Sequence, residues 1–148
     1  MRQRISAEAM MDYAKPLPVP DEDSAPFWQA CRAGELRMQH CNNCGAYRYP
    51  PANLCPDCGS GDTGWEKLSG RGRVFSWITI THPIPRAVYE QDVPYLVGLI
   101  DLEEGARMAS NIIGCAPEDV SAGMEVDVVF EKVSEEVTLP KFKPSAEK

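Results

Sequence analysis

The chain has 148 residues, 43% of them hydrophobic, and a formal net charge of −7 from 15 basic and 22 acidic side chains. That length fits one domain or two very small ones, with a modest core that gains from extra fastening. Residues 1–70 carry 7 basic and 9 acidic groups and residues 71–148 carry 8 and 13, so an acidic surface disfavours general nucleic-acid binding.

Residues 1–22 form a polar arm. Pro16, Pro18 and Pro20 keep its second half extended. A short helix is expected over residues 6–14. The early arginines are followed by no apolar signal-peptide core, and no apolar run approaches the ~20 residues of a membrane span. The chain therefore reads as cytoplasmic, with no membrane partner. In a reducing compartment, paired cysteines point to metal rather than to disulfides.

Residues 23–69 hold a helix and a ribbon. "DSAPFWQACRAG" (23–34) predicts a short helix capped by Asp23 or Ser24, with Pro26 in its first turn and Gly34 at its exit. Phe27, Trp28, Ala30 and Cys31 supply its apolar surface. Any Phe27 and Trp28 surface left over after packing is a docking face for another chain. "ELRMQH" alternates with Leu36, Met38 and His40 on one face and leads as a strand into Cys41.

Cys41, Cys44, Cys55 and Cys58 form two C-x-x-C-G pairs separated by ten residues. A two-residue spacer brings both sulfurs of a pair to one ion. Gly45 and Gly59 then turn the backbone behind each pair. Four thiolates close the coordination shell of a structural zinc and leave no open position for substrate. Iron in a rubredoxin-like site takes the same ligands. Cys31 and Cys115 lie outside the pairs and read as small buried residues. Cys115 with His82 is the alternative, a nucleophile and its base, with no spacing to support it.

Residues 70–148 turn β-rich. In "RVFSWITI" alternation sets Val74, Ser76, Ile78 and Ile80 against Phe75, Trp77 and Thr79. "YLVGLIDL" follows after the long connection "THPIPRAVYEQDVPY" (81–95). A hairpin is expected at Glu103-Glu104-Gly105. "GMEVDVVFEKV" places Met124, Val126, Val128 and Phe130 inward, and "EEVTLPKF" is the last strand. Five short strands predict a Greek-key barrel of the OB type, so the fold class is mainly β. "CAPEDVSAG" stands where such a barrel carries its helix, here barely one turn.

Three places carry candidate ligand contacts. The 81–95 loop holds His82, Arg86, Tyr89 and Tyr95, of which Arg86 suits a phosphate and Tyr89 an adenine ring. "LPKFKP" (139–144) sets Lys141 and Lys143 on one side and Phe142 on the other. Arg71 and Arg73 in "GRGR" are a third basic pair.

The ordered set "FWQACRAGELRMQHCNNCG", "YPPANLCPDCGS", "SGRGRVFSWITI", "PYLVGLIDLEEGARMASNIIG", "GMEVDVVFEK" and "LPKFKP" resembles a family of small zinc-ribbon plus OB-fold proteins associated with acyl-CoA metabolism, once classed as a domain of unknown function. The resemblance spans residues 21–144. It implies a non-catalytic subunit that docks on a thiolase-like acyltransferase or aldolase. The barrel would help form the partner's CoA or acyl-CoA site, and His82, Arg86, Tyr89, Lys141 and Lys143 are the residues expected to contact it. The competing reading is a nucleic-acid module that stacks bases on Phe75, Trp77 and Tyr89, against which the charge of the barrel half argues.

Overall fold

A computed structural model describes residues 13–146. The helix expected over residues 6–14 lies, apart from Tyr13 and Ala14, outside the described residues, and those two are not helical. Helix α1 (Ala25–Arg32) leads into strands β1 (Arg37–Cys41), β2 (Tyr47–Arg48) and β3 (Thr63–Lys67). These form a three-stranded antiparallel sheet in the order β2-β1-β3. Strands β4 (Arg71–Ile80), β5 (Tyr95–Leu102), β6 (Arg107–Ile112), β7 (Glu125–Lys132) and β8 (Thr138–Pro144) close into a barrel ordered β4-β5-β6-β8-β7. A four-residue helix α2 (Arg86–Tyr89) interrupts the β4–β5 connection, and a 3₁₀ turn at Pro117–Asp119 stands between β6 and β7.

The helix starts where the sequence predicts, with Ser24 as its cap, but the capping bonds differ. Ser24 occupies the N-cap but makes no side-chain bond to the helix. Instead the Asp21 amide donates to Ser24 Oγ at 3.0 Å and the Ser24 amide donates to Asp21 Oδ1 at 2.8 Å. Asp23 plays no part in this reciprocal pair. At the other end the Gly34 amide donates to the Cys31 carbonyl and the Glu35 amide to the Ala30 carbonyl. Gly34 at φ 75° makes this a Schellman exit.

The helix joins the two sheets. It touches β1 on one side and β7 and β8 on the other. Phe27, Cys31, Leu36 and Met38 belong to one buried cluster with Val74, Leu96, Ile100, Met108, Val126 and Phe142 of the barrel. Trp28 is half-buried against it, with its ring edge-on to Phe27 at 5.0 Å. The helix face offered by the sequence for docking is thus spent largely inside the chain. Burial also pushes the Cys31 thiol up to about 12, as expected of an inert core cysteine.

Strand β4 departs from simple alternation. Its pairing with β5 shifts between Val74, opposite Ile100, and Ser76, opposite Leu99. One extra residue, Phe75, makes a bulge and resets the faces. Trp77 then turns inward opposite Gly98, while Ile78 is 59% and Phe75 is 50% exposed. A Cβ on Gly98 would meet Ile112 Cδ1 at 2.6 Å, so the barrel interior has no space for one there. The remaining strands follow the expected pattern: Val126 and Phe142 are fully buried, Met124, Val128 and Phe130 pack partly against the core, and Gly105 turns the β5–β6 hairpin at φ 110°.

Candidate metal centre and ligand cleft

The two cysteine pairs form equivalent knuckles. The Gly45 amide donates to the Cys41 carbonyl at 2.9 Å, and the Gly59 amide to the Cys55 carbonyl at 2.8 Å. Each is closed by a second bond, from the Cys41 amide to the Ala46 carbonyl and from the Cys55 amide to the Ser60 carbonyl. Both glycines take positive φ, 81° and 76°, which is why a residue without Cβ follows each pair.

The four sulfurs lie within 4.8 Å of one another. Cys41 Sγ is 3.6 Å from Cys58 Sγ, and Cys44 Sγ is 3.6 Å from Cys55 Sγ. These separations are far beyond a disulfide bond. They fit a tetrahedral ion with Zn–S bonds of about 2.3 Å, which sets its sulfurs about 3.8 Å apart. The Cys44 amide points at Cys41 Sγ at 3.5 Å and the Asn43 amide group at Cys58 Sγ at 3.4 Å. The Asn43 bond, helped by the Ser60 amide, draws the Cys58 thiol down to about 6, while, against the pull of its Ala46 backbone bond, burial and bonding to the other sulfurs push the Cys44 thiol up to about 12. The opposed shifts leave the four-sulfur geometry as the observation that supports structural zinc.

The second feature is a cleft of about 400 Å³ at one end of the barrel. Tyr89, Asp92, Pro94 and Tyr95 of the β4–β5 connection form one wall, and Asn111, Ile113 and Lys141 another. Tyr13, Lys15 and Pro16 of the arm complete it. The described arm thus lies on its own barrel. Tyr89 and Tyr95 have ring centroids 6.1 Å apart. Asn111 Nδ2 donates to the Leu96 carbonyl at 2.9 Å.

Of the five ligand-contact residues expected from the sequence, Tyr89 and Lys141 share this cleft. His82 and Arg86 stand outside its lining, as does Lys143. His82 Nδ1 is 3.0 Å from Thr81 Oγ1, and Arg86 is exposed beside Glu90 at 3.5 Å. Lys141 pairs with Glu131, and Lys15 pairs with Asp92 at 3.0 Å. Burial opposes the Lys15 charge, but Asp92 more than restores it and holds the amine above its ordinary value. Arg71 and Arg73 are likewise paired, with Glu103 and Glu125. Sequence reading missed Tyr13, Lys15 and Asn111 because only the closed barrel and the folded-back arm bring them to this end.

Two other expectations find no support among the described residues. The stacking trio Phe75, Trp77 and Tyr89 does not share a face: Trp77 points inward, Tyr89 lies in the loop, and Arg107 covers Phe75 at 3.5 Å from its ring centroid. Burial raises the Cys115 thiol, with Asp119 adding to the effect, which is opposite to what a nucleophile needs. No helix among the described residues is long and apolar enough to cross a membrane.

Comparisons with known proteins agree with this architecture. Residues 28–64 match the family description "ChsH2, rubredoxin-like zinc ribbon domain", and residues 65–131 match "ChsH2, C-terminal OB-fold domain". A DUF35 domain-containing scaffold protein of Methanocaldococcus jannaschii is 41% identical over 65% of this chain and 67% of its own length. A probable enoyl-CoA hydratase alpha subunit of Thermomonospora curvata is 37% identical over 88% of this chain, which spans only 40% of that relative. A solved structure described as "Ltp2-ChsH2(DUF35) aldolase" superposes with a TM-score of 0.77 at 36% identity, covering 86% of this chain and 98% of that one. With the ribbon, barrel and relatives in agreement, the chain belongs to the DUF35 family of ChsH2-type proteins, which join a rubredoxin-like zinc ribbon to an OB-fold domain.

Proposed function

We propose that this chain is a non-catalytic subunit that docks on a thiolase-like enzyme, an acyltransferase or aldolase, and helps to form its acyl-CoA site. The observation that carries the reading is the likeness, at 36% identity, to nearly the whole of one chain of the Ltp2-ChsH2(DUF35) aldolase. The scaffold-protein names of the archaeal relatives point the same way. The chain's own residues supply a closed cysteine cluster and a cleft whose lysines are already paired, which suits holding and docking better than bond-making.

In this reading Tyr89 and Tyr95 receive the flat or apolar part of the CoA ester and Asn111 and Lys141 its polar part. Lys141 takes up a phosphate or carbonyl oxygen by exchanging Glu131. His82, Arg86 and Lys143 lie farther out and meet the ligand only when the partner completes the site. The partner covers the outer face of β4 and β5, where Ile78 and Leu99 are exposed and Phe75 is half-exposed under the Arg107 guanidinium. Affinity purification of the tagged chain from its own cells tests the docking. It brings down a thiolase-like chain in fixed ratio, and Ile78→Asp lowers that recovery at least tenfold; recovery of the tagged chain alone contradicts the proposal.

A second reading has one specific observation behind it. Two relatives carry hydratase alpha-subunit names for CoA substrates, and this chain matches only 40% and 35% of their lengths. The partner would then be a CoA-ester hydratase, and the same purification distinguishes it.

A further inference from the structure

Arg48 of β2 is a buried cation that pairs with no carboxylate among the described residues. Only 6% of the residue is exposed. Its Nη2 donates to the Ala52 carbonyl at 2.8 Å and to Thr63 Oγ1 at 2.6 Å, both neutral oxygens. Its Nε and Nη1 are buried with no hydrogen-bond partner. Asp62, next to Thr63 in the chain, is turned away to Asn42 Nδ2 at 2.9 Å. A guanidinium does not lose its proton in a protein, so Arg48 cannot escape the cost of burial by neutralising itself. An uncompensated buried charge is strongly destabilising.

The register shows what stands beside it. Arg48 lies opposite Gln39, and Thr63 lies opposite Cys41. Gln39 and Cys41 are two apart on β1, so all four side chains leave the same face of the ribbon. The Cβ atoms of directly opposed residues are about 5 Å apart. The guanidinium therefore bonds the residue that stands directly across the sheet from the metal ligand Cys41. The loop that covers this face, tied down by the Ala52 amide on Gln39 Oε1 at 2.8 Å, also carries Cys55 and Cys58.

We propose that Arg48 is a positioning residue for the metal centre and the internal counter-ion of its four thiolates. This rests on the cysteines holding a divalent metal: four thiolates around such an ion leave two negative charges, and the buried guanidinium offsets part of them. Metal and cation then need each other. The loaded cluster makes burial of Arg48 tolerable, and Arg48 makes the clustered thiolates tolerable.

The test is zinc affinity of the full chain, by competition with a chromophoric chelator, together with melting temperatures of loaded and chelator-stripped protein. Removing a group that supports metal ligands typically costs 10–100-fold in affinity. Arg48→Met therefore weakens zinc at least tenfold, and Arg48→Lys, which keeps the charge, stays within about threefold of wild type. Loaded R48M melts lower than loaded wild type. Stripped R48M melts no lower than stripped wild type, because the unpaired charge is gone. A residue that mattered only for packing would lower both. Should R48M fail to fold with zinc, Arg48→Gln replaces it in every arm. Wild-type zinc affinity in the uncharged variants, or equal loss in R48K, overturns the counter-ion role while leaving the metal reading intact. A wild-type chain that holds no metal overturns both.

Discussion

Lys15 Nζ lies 3.0 Å from Asp92 Oδ2 and 5.2 Å from the centre of the Tyr13 ring, so an ion pair ties the described part of the N-terminal arm to the β4–β5 connection. The arm becomes a wall of the cleft through this contact. Asp92→Ala should free it. Chymotrypsin would then cut after Tyr13 several-fold faster than in wild type, while global stability changes by less than about 1 kcal/mol, the usual range for a partly exposed pair. Unchanged cutting would mean that the arm is held by its prolines and not by Lys15.

The cysteine cluster makes a compositional prediction. Purified protein should contain one zinc per chain by elemental analysis. Cys44→Ser leaves three thiolates, and its zinc content should fall well below half. Structural zinc sites in small domains contribute on the order of 10 kcal/mol of apparent binding energy, so the variant should also melt at least 10 °C lower. Full zinc content in C44S would contradict the four-thiolate site.

Strand β8 separates core from surface residue by residue. Phe142 is fully buried, whereas its neighbour Lys143 is exposed. Phe142→Ala should destabilise the chain by about 3–5 kcal/mol in urea unfolding. Lys143→Ala should stay within about 0.5 kcal/mol. Equal effects would mean that the pleat of β8 is turned the other way.

The alternating strands, the two knuckles and the short helix were legible because each depends on local spacing. Three features were not. The Phe75 bulge inserts one residue against β5, and nothing in "RVFSWITI" marks which residue is extra, so simple alternation groups Ile78 with the buried Val74 where the barrel instead takes Trp77. Ser24 caps the helix as the sequence allows, but its hydroxyl accepts from the Asp21 amide instead of a helix amide, and Asp23 stays outside that reciprocal pair. The cleft joins Tyr13, Tyr89, Asn111 and Lys141 across the length of the chain, and only barrel closure brings them together.

The cap gives a pH dependence. Ser24 hydrogen bonds, first from its side chain and then from its backbone, hold the Asp21 carboxyl below the ordinary carboxylate value. A carboxylate depressed on folding stabilises above its unfolded pKa and loses that contribution as pH falls through the folded one. The entry to α1 should therefore fray below about pH 4. Protection factors at the Ser24 and Ala25 amides, taken against intrinsic exchange at the same pH, should fall there in wild type and be low at all pH values in Asp21→Ala. Wild-type-like protection in Asp21→Ala at neutral pH would contradict the cap.

The account as a whole depends on partnership, and turnover measures it most directly. A thiolase-like chain isolated from the same cells should be assayed on acyl-CoA with and without this protein. The account predicts that this chain alone gives no turnover and that the thiolase-like chain gains at least tenfold when it is added, with Tyr89→Ala or Lys141→Ala reducing the gain. Equal turnover by the thiolase-like chain on its own, or turnover by this chain alone, would contradict it.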